Sequence, residues 1–270
     1  MGRLFAVVVS LIALASAAIF ALHTWWLPPD ISTHGARIDR QLNETMVMAG
    51  ILFVAAQLAL ALFVWRFGER GGVRADWPVR VFPGGATPMV VIATVLVGIE
   101  ILVLTFVGSK VWASVYETPA APGALQIEVQ AEQFAFYFRY AGADGKFGGM
   151  HPDLMSDATQ NFFGLDPAND STARDDIVVG SLVIPVNQPI ALRLHAKDVS
   201  HSFYVPELRI QQDFVPGMVI PLHFTATTTG KYELVCTQLC GLGHYNMRAY
   251  VEVKTPADFA QWLKQQEPAF

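Results

Sequence analysis

Both cysteines of this 270-residue chain lie within one short stretch that also contains a histidine and a methionine. The stretch runs from Cys236 to Met247, reads CTQLCGLGHYNM, and is called the ligand loop below. Thiolate, thioether and imidazole groups are the soft and borderline ligands that select copper over harder metals. The ligand loop is therefore predicted to bind a metal, and the rest of the chain to position it.

A second imidazole is available upstream, where the segment KDVSHSFYVPEL contains His201. Cys236 and Cys240 could instead form a disulfide on the outer face of a membrane, or join two histidines in a tetrahedral structural zinc site. Zinc has no use for Met247, whereas a mononuclear blue-copper site uses one cysteine, two histidines and a weakly bound methionine. This chain has one cysteine more than such a mononuclear site needs, and the additional thiolate implies a second copper ion.

Other kinds of site find little support in the sequence. The cysteines are four residues apart and do not form the C-x-x-C-H pattern of covalent haem attachment. The chain has neither a phosphate-binding glycine loop nor a basic patch for nucleic acid, so no nucleic-acid partner is expected. The remaining histidines lack ligand spacing; His195 and His223 lie in β-rich runs, where packing or hydrogen bonding is the expected role.

The pattern C-x-x-x-C-G-x-x-H-x-x-M resembles the binuclear copper A motif of cytochrome c oxidase subunit II. The upstream segment is similar to the first-histidine segment of that family, and the resemblance extends from the membrane spans to about Thr255. The matching residues in the upstream segment are Asp198, His201, Ser202, Phe203, Pro206, Asp213, Pro216 and Gly217. The metal ligands that the resemblance implies are His201, Cys236, the backbone carbonyl of Gln238, Cys240, His244 and Met247.

This resemblance implies a subunit of a terminal cytochrome c oxidase with two copper ions per chain. Such a subunit accepts electrons from a c-type cytochrome and passes them to the haem–copper centre of subunit I, which reduces oxygen to water. Subunit III is a further expected partner, and haem belongs only to a partner subunit. Two alternatives remain: the same copper subunit in a haem–copper nitric oxide reductase, and a membrane copper-delivery protein, which the complete ligand set disfavours.

Two positions depart from the pattern of many family members. Where Gln238 stands, many members have a glutamate that also binds magnesium or manganese at the contact with subunit I, so that ion is in doubt here. Many members also have a tryptophan in an aromatic segment that receives the electron from cytochrome c. The corresponding run EQFAFYFRY contains Phe134 and Phe136 instead, and Phe134 is the candidate point of electron entry, although an ordinary strand aromatic fits this position equally well.

The composition places part of the chain in a membrane, because 53% hydrophobic and 15% charged residues are too apolar for an ordinary soluble protein. Residues 46–65 and 89–108 are each about twenty predominantly apolar residues, enough to cross a ~30 Å hydrocarbon core. Residues 4–22 fit both a membrane span and a signal peptide cut near Ala17. Two or three spans are therefore predicted.

Glu100 and Gln57 lie within spans and need polar partners, which indicates a larger membrane complex.

The charges predict the orientation. The loop between the last two spans contains Arg66, Arg70, Arg74 and Arg80, which the positive-inside rule places in the cytoplasm. The chain beyond the last span then lies on the outer, periplasmic face of a bacterial-type inner (plasma) membrane. Residues 115–270 carry ten Lys/Arg against seventeen Asp/Glu, an acidic balance that suits docking of a basic cytochrome.

The soluble part is predicted to be all-β. From Leu125 onward short β-rich runs alternate with turn residues, a pattern typical of an antiparallel sandwich or barrel; the runs are LQIEVQ, FAFYFRY, SLVIP, IALRLHA, SFYVP, VIPLHFTAT, KYELV and MRAYVEV. Residues 148–176 lack such runs and are interpreted as a long surface insertion. With the resemblance, the expected fold is a membrane anchor (1–115), a cupredoxin-like Greek-key β-barrel (116–254) and a short helix with a tail (255–270).

Overall fold

Three long apolar helices form the amino-terminal part of the chain. The computed structural model describes residues 2–22, 27–67 and 87–269. The helices are α1 (Gly2–Leu22), α2 (Gly35–Phe67) and α3 (Thr87–Tyr116). Each is long and apolar enough to cross a membrane, so all three predicted apolar segments are helical. Arg70, Arg74 and Arg80, on which the predicted orientation depends, lie outside the described residues.

Most apolar side chains of these helices are exposed, as expected for surfaces that lipid or other membrane helices cover. Gln57 on α2 and Glu100 on α3 are half-exposed. Polar groups at such positions are costly in hydrocarbon unless a partner satisfies them. We therefore still expect partner subunits in the membrane to supply polar groups for Gln57 and Glu100.

A β-sandwich follows the helices and forms a compact unit of residues 28–36 and 113–270. One sheet has the strand order β3-β2-β1-β5-β8 and the other β4-β10-β9-β6-β7. The strands are β1 (Leu125–Glu132), β2 (Ala135–Tyr140), β3 (Ile177–Val179), β4 (Leu182–Pro185), β5 (Pro189–Ala196), β6 (His201–Val205), β7 (Ile210–Phe214), β8 (Ile220–Thr225), β9 (Gly230–Val235) and β10 (Arg248–Lys254).

All eight β-rich runs found in the sequence form strands, but the sheets are not purely antiparallel. β1 pairs with β5, and β10 with β4, in parallel. Local alternation specifies which face of a strand is buried and not the direction of its neighbour, so the sequence could not reveal these pairs. The strands β3 and β7 were not predicted, because β3 has three residues and β7 contains the polar run Gln211-Gln212-Asp213.

Alternating residues of both sheets fill one apolar core. Ile127, Phe138, Phe203, Phe214 and Val251 are fully buried in it, and both cysteines join its edge. Burial at roughly 25 cal/mol per Å² of apolar surface is the main stabilising contribution. The core therefore supplies a rigid base beneath the ligand loop.

The segment before α2 belongs to this β unit. Ile31 is only 2% exposed, its amide donates to the Glu207 carbonyl oxygen at 3.0 Å, and its carbonyl accepts from the Thr227 amide at 2.7 Å. Ser32 forms an antiparallel bridge with Ala226, just beyond β8. The complete chain, rather than a fragment that starts after α3, is thus the appropriate material for experiments on this unit.

The insertion of residues 148–176 is ordered against the sheet that contains β1 and β2. It buries Phe163 and Leu165 in a second small core, and the ring of Phe162 stacks on Tyr137 at 3.5 Å between ring centroids. Arg139 of β2 donates to the carbonyl oxygen of Gly148 at 2.5 Å. The predicted surface insertion is therefore a cover over the outer face of this sheet.

The carboxyl-terminal helix α4 (Pro256–Lys264) begins as its sequence indicates. Thr255 is the N-cap, and its hydroxyl oxygen accepts from the Asp258 amide at 3.2 Å. Proline occupies the first helical position, where a missing N–H is harmless. Trp262 on this helix lies edge-on against Tyr140 at 5.3 Å, which joins α4 to the core.

Candidate metal centre

Two strands of one sheet hold the ligand loop at its ends. Cys236 directly follows β9, and Met247 directly precedes β10. The Cys236 amide donates to the Met247 carbonyl oxygen at 3.1 Å and closes the loop at its base. His201 is the first residue of β6, which pairs with β9 through Tyr204 and Val235. The antiparallel sheet thus brings a histidine from a distant part of the sequence beside the loop.

The predicted strong ligands converge. One ligand atom each of His201, Cys236 and Cys240 lies within 4.8 Å of the other two, and all three residues are buried. Among the His, Cys, Asp and Glu residues that the structure describes, this is the one group arranged to hold a metal ion. The two sulphurs are 3.9 Å apart, and His244 Nδ1 lies 3.6 Å from the sulphur of Cys240.

Two weak donors lie beside the thiols. The Cys236 thiol donates to the backbone carbonyl oxygen of Gln238 at 3.2 Å, and Met247 Sδ lies 3.7 Å from the Cys240 sulphur. Gln238 exposes its side chain, so the carbonyl and not the amide faces the thiols. The six predicted site residues are thus brought together.

The two thiols differ in their readiness to ionise. Burial raises the pKa of Cys236, but the adjacent His201 imidazole and the backbone amides of Ser202 and Gln238 outweigh it and lower this pKa to about 6. Burial and the neighbouring Cys236 thiolate raise the pKa of Cys240 to about 11. Two adjacent thiolates repel each other unless a cation lies between them. The donor pair is therefore suited to a metal cation.

The comparisons with known proteins bear on these same residues. The family model described as cytochrome C oxidase subunit II, periplasmic domain, matches residues 164–254, which include His201 and the entire ligand loop. The alternative cytochrome c oxidase subunit 2 of Bradyrhizobium diazoefficiens is 33% identical over 97% of this chain and 91% of its own length. The chain belongs to the cytochrome c oxidase subunit II family. It is accordingly a subunit of a haem-copper terminal oxidase, an oxidoreductase complex.

A further relative and a solved structure are similar to the chain. Cytochrome c oxidase subunit 2 of Thermostichus vulcanus is 29% identical over 96% of this chain and 86% of its own length. The solved periplasmic domain of subunit II of cytochrome oxidase from Bradyrhizobium japonicum is 25% identical, with a TM-score of 0.39, and the match covers 54% of this chain and 94% of that one. Family membership rests on the full-length relative.

In this subunit II, Asp198 orients the upstream histidine. The Asp198 carboxylate accepts from His201 Nε2 at 2.8 Å, and His201 Nδ1 is buried without a hydrogen-bond partner. Burial alone would raise the pKa of Asp198, but the bonds from His201 and from the amides of Gln133 and Val199 lower it. A carboxylate that fixes one imidazole nitrogen leaves the other for a metal, so the contacts of Asp198 suit a residue that orients His201. Asp213 lies opposite Ser202 on β7 and makes none of these bonds.

Gln133 is a positioning residue that the sequence did not reveal. Its backbone amide donates to Asp198 at 2.7 Å, and its side-chain amide donates to the Cys240 carbonyl oxygen at 2.6 Å. One residue of the turn between β1 and β2 thereby joins the histidine segment to the ligand loop. No local pattern marks such a residue, because its partners are 65 and 107 positions away.

Phe134 lies in the same turn, not within a strand as the run FAFYFRY suggested. Its ring covers the ligand loop at Gly243, where an added Cβ would lie 2.5 Å from the ring. Gly241 has a φ of +134°, and a Cβ there would approach Gln133 to 2.8 Å. Both glycines therefore permit close contact. Phe134 is 40% exposed and Phe136 is buried, so Phe134 is the aromatic residue that lies between solvent and the loop.

The surface of the ligand loop is apolar although its donors are buried. Leu239, Leu242 and Tyr245 are 78%, 96% and 91% exposed. Exposed apolar side chains grouped on one loop are typical of a surface that another protein covers. The buried donors below and the apolar surface above together fit a centre that works within a complex.

Proposed function

We propose that the ligand loop and His201 hold a binuclear copper A centre. In this proposal the centre accepts electrons from a c-type cytochrome and passes them to the haem–copper centre of subunit I for reduction of oxygen. The observation that carries it is the convergence of two thiols, two imidazoles and two weak donors around one buried point. The proposed ligands are His201, Cys236, the Gln238 carbonyl, Cys240, His244 and Met247.

The residues fit copper better than they fit zinc or a disulfide. A structural zinc site is complete with two cysteines and two histidines and leaves no role for a thioether, whereas Met247 is 2% exposed and its sulphur faces Cys240. The buried, unpartnered Nδ1 of His201 also needs a ligand. When bound by these residues, two copper ions would supply one-electron transfer with little change in geometry.

The protein's own contribution is a rigid and dry ligand set. Sheet strands fix both ends of the loop, and Gln133 and Asp198 hold the loop and His201 in place. Cys236 and Cys240 are 7% and 4% exposed, so water is largely excluded. Preorganised ligands change little when charge moves, which favours fast electron transfer over ligand exchange. A copper-delivery role, which requires release of the metal, is correspondingly disfavoured.

We further propose how electrons and partners reach the centre. Phe134 is the proposed point of electron uptake, supported by its exposure and its contact with the ligand loop. The apolar loop surface and the acidic balance of the soluble part suit docking onto partner subunits and a basic cytochrome. The proposed organisation is an anchor at 1–115, of which residues 28–36 belong to the β unit, a copper domain at 116–254 on the periplasmic face, and a helix with a tail at 255–270.

Metal analysis and electron paramagnetic resonance of the detergent-solubilised complete chain test the proposal. We expect two coppers per chain and, after oxidation, a mixed-valence signal in which one unpaired electron is shared by two copper nuclei. A single copper with a mononuclear signal, or zinc alone, would contradict it. Oxygen and nitric oxide turnover of the purified complex distinguishes an oxidase from a nitric oxide reductase.

The substitution Asp198→Asn should weaken copper binding and raise the reduction potential. Loss of a carboxylate behind a ligating histidine costs about 10–100-fold in metal affinity. It also removes a negative charge that favours the more positive, oxidised centre. Copper titration and redox titration measure the two effects. Asp213→Asn is the matched control and should change neither the copper affinity nor the reduction potential. Equal shifts in both variants would show that loss of any nearby negative charge, and not loss of the contact with His201, causes the effect.

A further inference from the structure

The outer face of the sheet that contains β1 and β5 is polar but covered. This face carries the even-numbered residues of β1 and the odd-numbered residues of β5. Because the two strands are parallel, Glu128 lies beside Arg193 and Gln130 lies beside His195. The insertion of residues 148–176 lies over them. Buried polar side chains usually have a hydrogen-bond partner in the protein or in ordered water, so an unpaired one calls for an explanation.

A cavity of about 590 Å³ separates this floor from its cover. Met150 and Met155 of the insertion line it, as does Met218 of the turn between β7 and β8. The soluble part contains one other methionine, Met247, which lies in the ligand loop. Every methionine of the β unit outside the ligand loop therefore borders one cavity, although these three come from two separate segments.

Two polar atoms on the floor lack partners. Gln130 is 1% exposed and its Oε1 has no hydrogen bond; His195 Nε2 is likewise buried and unpaired, 3.9 Å from the Glu128 carboxylate. Burial, together with Arg193 and Arg139, lowers the pKa of His195 to about 4, so its imidazole is neutral at physiological pH. A neutral imidazole with a free nitrogen is a metal donor.

Glu128, the carboxylate among the residues that line the cavity, is already engaged, and so is Lys197. Glu128 accepts from Arg139 at 2.8 Å and lies 3.1 Å from Arg193. Lys197 pairs with Glu132 and Asp157. Hard cations such as Mg²⁺ and Ca²⁺ need free oxygen ligands, and structural zinc sites are built chiefly from cysteine and histidine. Thioethers with imidazole select a soft ion, and cuprous copper is the one that prefers them.

We propose that this cavity is a second copper site, which binds one cuprous ion through His195 and the thioethers of Met150, Met155 and Met218. The site lies on the sheet opposite the ligand loop, uses none of its residues, and does not depend on the proposed copper A centre. The sequence alone predicts a packing or hydrogen-bonding role for His195, whereas in this proposal its unpaired nitrogen binds the metal.

The test uses the complete chain in detergent with Cys236→Ser and Cys240→Ser, which removes the thiolates of the ligand loop. Cuprous ion is titrated in competition with a chromogenic cuprous chelator. We expect one equivalent bound, with sulphur and nitrogen neighbours in X-ray absorption. Replacing Met150, Met155 and Met218 together by leucine should weaken cuprous binding by at least roughly 10–100-fold. That is the loss seen when a residue that only supports a metal ligand is removed, and here the ligands themselves are removed.

Leucine preserves side-chain volume, so these variants should fold, and hydrogen exchange of β1 and β5 checks that they do. Met89→Leu, on α3 and not among the residues that line the cavity, is the matched control and should leave binding unchanged. His195→Ala should weaken binding and remove the nitrogen neighbour. No cuprous ion bound in the thiolate-free chain, or unchanged affinity in the folded triple leucine variant, would overturn the second site while leaving the copper A proposal intact.

Discussion

Cys240→Ser should abolish the binuclear centre, leaving at most one copper per chain and no mixed-valence signal. Cys240 contributes the sulphur that lies 3.9 Å from Cys236, 3.6 Å from His244 and 3.7 Å from Met247, so it is central to the ligand set. Serine retains the size but presents a hard, weakly acidic oxygen that cannot bridge soft metals. Metal analysis and electron paramagnetic resonance of the complete chain measure the result.

Met247→Leu is the matched control, because it alters the same loop without removing a thiolate. The thioether is a weak ligand, so the variant should retain both coppers and their shared electron while the reduction potential shifts. Leucine conserves the volume that Met247 occupies at the edge of the core. An unchanged mixed-valence signal in Cys240→Ser would show that this cysteine does not bridge. Loss of both coppers from Met247→Leu would show that the thioether is a strong ligand.

Four of the six proposed ligands could be predicted from residue types and spacing alone. Cys236, Cys240, His244 and Met247 lie on one loop between two β-rich runs, and a short loop necessarily brings its residues together. His201 could be named from the sequence only as an available imidazole, and the resemblance to the family made it a specific ligand, because its proximity comes from the pairing of β6 with β9. Ligands that share a loop can thus be inferred from spacing, whereas those that a sheet brings together cannot.

The positioning contacts were beyond prediction for the same reason. Gln133 joins two segments that are far away in sequence, and no local sequence pattern predicts which glutamine will do so. The neighbouring Phe134 is a candidate from its aromatic run alone, but its placement in a turn against Gly243 is visible only in the fold. Side-chain hydrogen bonds across sheets depend on strand register and turn geometry, which local composition leaves undetermined.

The insertion shows a second limit of sequence interpretation. Its many Asp, Asn and Gly residues are typical of exposed loops, yet Phe163 and Asp176 are fully buried. Besides the small core around Phe163, the contacts of Arg139 on β2 hold this segment in place. The Arg139 side chain is 0% exposed and contacts Glu128, Asp176 and the Gly148 carbonyl. A buried arginine in the run FAFYFRY could not be distinguished from one on a solvent-exposed face.

Arg139→Met should therefore destabilise the β unit more than any surface charge substitution. Methionine fills much of the volume but leaves Glu128 and Asp176 buried without their cation, and breaking a buried ion pair from one side costs about 3–5 kcal/mol. Hydrogen exchange of β1 and β2 in the complete chain measures the loss. Arg193→Met is the matched control: its side chain is 50% exposed at the same Glu128, and such pairs contribute about 0–1 kcal/mol.

The loss should also depend on pH with a defined sign. Burial raises the pKa of both Glu128 and Asp176 above the unfolded value, even though Arg139 opposes it. The folded state therefore holds more protons than the unfolded state, and stability falls as pH rises from about 4 through the raised pKa values. Without Arg139 these pKa values rise further. The stability that Arg139→Met loses relative to the unsubstituted protein should therefore be small near pH 4 and largest at neutral pH. A deficit that is constant with pH would mean that lost packing against Phe147 and Phe163, rather than unpaired charge, is responsible.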